Sequence, residues 1–108
     1  MTTRIAMWSG PRNISTAMMR SFDARGDCGV SDEPLYGHYL AHTKLDHPLK
    51  DEVMASQPTD WQSVVQTLQG DVPGGQRFWY QKHMTHHLLP HIDRAWMKEV
   101  RHCFLIRD

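Results

Sequence analysis

Arg12, Ser15 and Thr16 stand close together just after Ser9-Gly10-Pro11, where an apolar run gives way to a helical pattern. A helix start offers backbone N–H groups without partners and a partial positive charge. A guanidinium and two hydroxyls added at that point make a cradle suited to a phosphate or sulfate. The attraction must be local, because twelve Lys and Arg residues balance twelve Asp and Glu residues. No global charge draws the chain toward nucleic acid, an acidic partner or a membrane surface.

The histidines His83, His86, His87 and His91 form a second group with chemical potential. His83, His87 and His91 are spaced four apart, as ligands on one helix face would be. Pro90 interrupts the backbone ladder on which that spacing depends, and no Cys or carboxylate is spaced to complete a zinc site. The reading is therefore no metal, with the histidines solvated or at the core edge. His83 is set apart because it follows an expected strand end.

The elements that must position these residues alternate. Arg4 to Trp8 is an apolar run closed by turn residues, a strand buried on both faces. Ile14, Ala17, Met18 and Phe22 follow at helical spacing, with Asn13 as N-cap and Gly26 as stop. Cys28 to Ser31 predicts a second strand that delivers Asp32-Glu33-Pro34, and Leu35, Tyr36, Tyr39 and Leu40 share the face of a second helix. Residues 43–58 lack a clear period and read as a long surface connection or lid bordering a pocket.

Thr59 and Gln62 fit a capping box ahead of a helix carrying Trp61, Val64, Val65 and Leu68. Gly70 closes it, and Asp71 to Gly75 is a turn. Gln76 to Lys82 predicts a third strand, residues 85–99 short helical pieces broken at Pro90, and His102 to Ile106 a last strand. Alternation of strands and helices predicts an α/β fold of three layers, α/β/α, with a mostly parallel sheet.

The composition supports one small domain over residues 1–108, 40% of it apolar. Cys28 and Cys103 lie in apolar runs and read as buried thiols in a reducing, cytoplasmic setting. No secretion signal or membrane-length apolar run stands out. The chain stops on an apolar strand, which predicts an incomplete domain, the N-terminal portion of a longer one. The unfinished sheet favours a homo-oligomer.

The loop after the first strand departs from the nucleotide triphosphate P-loop, because Ser15 and Thr16 stand where that motif needs Gly and Lys. Pro11-Arg12-Asn13-Ile14-Ser15-Thr16 resembles instead the 5′-phosphosulfate loop of sulfotransferases that use 3′-phosphoadenosine 5′-phosphosulfate. Their pattern runs Pro, Lys or Arg, two variable residues, then two hydroxyl residues. Phe104-Leu105-Ile106-Arg107-Asp108 is similar to the family's apolar strand followed by Arg, whose side chain reaches the 3′-phosphate. Asp32-Glu33-Pro34-Leu35 is similar to a Glu-Pro element of several bacterial members. All three fall at strand C-termini, where open α/β sheets bind ligands.

The resemblance implies a P-loop-like fold and transfer of a sulfuryl group from that donor to a hydroxyl or amine of a small-molecule acceptor, without a metal. It implies donor binding by Gly10, Pro11, Arg12, Asn13, Ile14, Ser15, Thr16 and Arg107. Lys82 would help neutralise the leaving phosphate, and Glu33 or His83 would take the acceptor's proton. In the well-known cytosolic enzymes a Lys-Thr-His triplet supplies the base, and Lys82-His83-Met84 places the His one position early. The rival functions are an ATP-type phosphotransferase on the same strand-turn-helix and a phosphate-binding domain without transfer.

Overall fold

The computed structural model describes residues 2–10, 14–44 and 50–105. Four parallel strands, β1 (Thr3–Ser9), β2 (Cys28–Asp32), β3 (Phe78–Met84) and β4 (Arg101–Phe104), form one sheet in the order β2-β3-β1-β4. The chain leaves β1 through helix α1 (Ser15–Asp23) and moves outward to the β2 edge. It returns to β3 through α2 (Tyr36–Thr43), α3 (Lys50–Ser56) and α4 (Trp61–Leu68), then crosses β1 to reach β4.

The outward connection covers one face and the returning connections cover the other, as crossovers of a single hand require. On the first face, Met18, Met19 and Phe22 of α1 meet Met7, Tyr80 and Val30. On the second, Val64 and Leu68 of α4, with Ile92, Trp96 and Val100, pack on Ala6, Trp8 and Trp79. The result is the expected α/β/α arrangement with an all-parallel sheet, consistent with a P-loop-like fold. Each of the large apolar side chains buried here contributes about 1.5–3 kcal/mol by leaving water.

Several local expectations shift. Helix α1 ends at Asp23, and Gly26, at φ +85°, turns the chain beyond it. Asn13 lies outside the described residues. The 43–58 stretch is not wholly a connection, because Lys50–Ser56 is helical and buries none of its residues, so it has no apolar stripe to read. The cap of α4 is Asp60 rather than Thr59: its carboxylate accepts from the Ser63 amide at 3.0 Å. Replacing Asp60 by Ala should remove this cap and lower the urea midpoint of unfolding.

Strand β3 also runs two residues further than expected, so His83 lies within it and not after it. Cys28 is buried as expected, whereas Cys103 is exposed, and both are free thiols. Cys103 lies on β4, the edge strand beside β1, where Arg101 and Phe104 are exposed as well. No helix among the described residues is long and apolar enough to cross a membrane.

Candidate functional site

Strand register builds the site. Pairing of β2 with β3 sets Asp32 opposite Lys82, and pairing of β1 with β3 sets Met7 beside Lys82 and Trp8 beside His83. Because side chains alternate across a sheet, Lys82 emerges on the α1 face and His83 on the other. Lys82 is buried. Its ammonium donates to Thr16 Oγ1 at 2.9 Å and to Glu33 Oε2 at 3.0 Å, and lies 3.3 Å from Asp32 Oδ1.

An ammonium has three donors, and these three oxygens match them. Burial pushes the Lys82 pKa down, but Glu33 and Asp32 outweigh it and the net shift is upward. The group therefore stays charged. Thr16 accepts from Lys82 through a lone pair, which leaves its own hydroxyl proton to donate elsewhere at the start of α1. Helix α1 itself has no acidic residue in its first turn, so the helix start retains its own favourable charge for an anion.

Glu33 follows β2 directly. Its amide donates to the Lys82 carbonyl at 2.9 Å, extending the strand pairing by one residue, and its carbonyl accepts from the Tyr36 amide at 3.0 Å. Between these bonds Glu33 adopts φ +49°, a left-handed conformation that costs a non-glycine residue about 1–2 kcal/mol. Two anchored backbone bonds hold it, and the strained turn aims the carboxylate back over β3. Gly37 admits the close approach that supports this turn. A Cβ there would stand 2.9 Å from the Pro58 carbonyl, and its amide donates to Gln57 Oε1 at 2.9 Å.

His87, in the 3-10 helix Thr85–His87, completes the cluster. Its ring stacks on Tyr36, with centroids 4.9 Å apart and an interplanar angle of 10°, and its Nε2 lies 4.0 Å from Glu33 Oε1. Burial, then the nearby His86 and Lys82, lower its pKa to about 3. A neutral imidazole makes no ion pair, so the His87–Glu33 approach is a polar contact. Among the described residues, His87 Nδ1 is buried without a hydrogen-bond partner.

Thr16, Glu33, Lys82 and His87 thus come together at the C-terminal edge of the sheet, beside the start of α1. A family model for the sulfotransferase domain matches residues 3–108. The chain belongs to the sulfotransferase domain family. Two Arabidopsis thaliana proteins are similar to it. Branched-chain-amino-acid aminotransferase-like protein 2 is 38% identical over 104 residues, 96% of this chain and 18% of that protein. Branched-chain-amino-acid aminotransferase-like protein 1 is 36% identical over 105 residues, 96% of this chain and 19% of that protein. The chain therefore spans less than a fifth of the length of these relatives. No solved structure matches it significantly.

Within this sulfotransferase domain the residues expected to act do not all meet. Gly10 follows β1, Ser15 is buried in the first turn of α1, and Ile14 is exposed at the N-cap position. Pro11, Arg12, Asn13 and Arg107 lie outside the described residues. His83 is separated from Lys82 by the sheet itself. It is 1% exposed, stacks on Trp8 at 4.6 Å between centroids, and has Nε2 3.1 Å from Gln81 Oε1. Burial, then His87 and His102, lower its pKa to about 3. That environment is a packed core on the face of the sheet away from Lys82.

A cleft of about 270 Å³ opens beside Asp32 and Pro34, lined also by Gln57, Pro58, Val64 and Leu68. Residues 57 and 58 belong to the stretch expected to border a pocket. His87 was the member of the cluster not foreseen, since its neighbourhood with Glu33 depends on the tertiary path through Pro34 and α2. Its position shortly after a strand end is the local signal that points to it.

Proposed function

We propose that the domain transfers the sulfuryl group of 3′-phosphoadenosine 5′-phosphosulfate to a hydroxyl or amine of a small-molecule acceptor. The observation that carries this reading is the Lys82 ammonium, which bridges the hydroxyl at the anion-binding helix start and the carboxylate of the Glu-Pro element. The two requirements of the reaction, charge neutralisation and proton removal, meet at that one nitrogen.

In the reaction the acceptor oxygen or nitrogen forms a bond to sulfur while the bond from sulfur to the 5′-phosphate oxygen breaks. The leaving adenosine 3′,5′-bisphosphate keeps the electron pair, and the growing charge falls where Lys82, Thr16, Ser15 and the α1 N-terminus can meet it, a task to which Arg12 is also assigned. Glu33 takes the acceptor's proton, and Lys82 orients that carboxylate. Arg107 anchors the 3′-phosphate. The cleft beside Asp32 and Pro34 suits an acceptor with an apolar body. The free Cys28 thiol fits a reducing, cytoplasmic setting.

Calorimetric titration tests the donor. Adenosine 3′,5′-bisphosphate should bind more tightly than ATP, and Arg12→Ala should weaken binding and turnover together. Tighter binding of ATP would instead support a phosphotransferase. Transfer of labelled sulfate to a panel of small hydroxyl and amine compounds tests the reaction, and nucleotide binding without transfer would support a domain that only binds.

A further inference from the structure

The imidazoles of His38, His42 and His91 converge away from the Lys82 cluster. His38 and His42 stand one helical turn apart on α2, and His91 reaches them from the segment after Pro90. One ligand nitrogen from each lies within 4.8 Å of the others. His38 Nε2 and His91 Nε2 are 2.8 Å apart, and the His42 and His91 ring centroids are 4.3 Å apart. His38 is buried, while His42 and His91 are exposed.

The buried ring is already held by the backbone on its far side. His38 Nδ1 lies 2.8 Å from the backbone carbonyl of Thr59. A carbonyl only accepts, so Nδ1 carries the proton and Nε2 keeps its lone pair facing His91. A ring fixed in this way by a carbonyl on its far nitrogen is the usual state of a metal-bound histidine. We propose that His38, His42 and His91 bind one divalent ion of the zinc class, with solvent as the fourth ligand.

Three imidazoles without a carboxylate select zinc and its neighbours over calcium or magnesium. Without the ion, a proton on His91 bridges the short nitrogen–nitrogen contact. A tetrahedral ion replaces that proton once the exposed His91 ring moves outward by about 0.5 Å, since metal–nitrogen bonds of about 2.0–2.1 Å hold two ligand nitrogens further apart. The bound ion would tie α2, which carries Tyr36, to the segment after Pro90 and, through Thr59, to the start of α4.

Cobalt(II) serves as the spectroscopic probe and zinc as the competitor, with the whole chain. One equivalent of cobalt should give the visible bands of a tetrahedral site, zinc should displace it, and zinc should raise Tm. His42→Ala and His91→Ala alter exposed side chains, and their melting without metal reports that they fold. Each should lower zinc affinity by about 100-fold and abolish the rise in Tm. His86→Ala, at an exposed histidine outside the trio, should change neither. Absence of one-to-one binding, or equal zinc affinity in all three variants, would overturn the proposal.

Discussion

Glu33→Gln should lower kcat by about 10²–10⁴-fold, the usual contribution of a positioned general base, while leaving affinity for adenosine 3′,5′-bisphosphate unchanged. The substitution keeps size and shape, and the amide oxygen can still accept from Lys82, whose donors also reach Thr16 and Asp32. What it removes is the ability to receive a proton. Lys82→Met provides the contrasting case, because it withdraws a cation from both the anion site and the carboxylate. It should weaken nucleotide binding as well as turnover. Steady-state kinetics with a labelled donor, paired with calorimetry on the product nucleotide, distinguishes the two patterns. Full turnover by Glu33→Gln would move the base to another group.

The contrast between these two residues shows what a linear sequence can and cannot convey. The strand-turn-helix around Gly10 and Ser15 was legible because its signals are local: an apolar run, turn residues, then helical spacing. The same holds for Asp32-Glu33 after a short strand. The Lys82–Thr16 and Lys82–Glu33 contacts join residues 66 and 49 positions apart. They depend on β3 lying between β2 and β1 in one register, which no spacing along the chain encodes.

The choice between Glu33 and His83 as base, with Lys82 beside His83 in one strand, has the same origin. With a side-chain period of two, the choice of which residue faces α1 decides which can act. The helix Lys50–Ser56 has no fully buried residue, so its sequence carries no clear apolar period. Thr59 and Asp60 both satisfy cap chemistry one position apart, and only the hydrogen bond to the Ser63 amide separates them. His38 and His42 carried a local signal, the four-residue spacing, but their third partner lies 53 positions from His38.

The two deeply buried histidines should also make the fold acid-labile well above the carboxylate range. His83 and His87 each have a folded pKa of about 3 against 6.5 for an ordinary histidine. Above pH 6.5 both states are neutral and these histidines no longer affect stability. Between pH 6.5 and about 3 the unfolded chain binds protons that the folded chain refuses, so stability falls as pH falls. At pH 5 each histidine should cost about 2 kcal/mol, at 1.36 kcal/mol per pH unit, and the pair about 4 kcal/mol.

That loss is a large part of the 5–15 kcal/mol typical of a small domain. The pKa values of Asp27 and Asp60 are lowered from 3.8, so their contributions are lost only at more acid pH. Urea unfolding at pH 7 and pH 5 measures the effect directly. His87→Phe, which keeps an aromatic ring against Tyr36, should weaken the pH dependence by deleting one proton-binding site, leaving His83 and the exposed His91, whose pKa is also lowered. Equal stability at the two pH values would mean that both imidazoles take up protons within the fold, in conflict with the packed surroundings of His83 against Trp8 and of His87 against Tyr36.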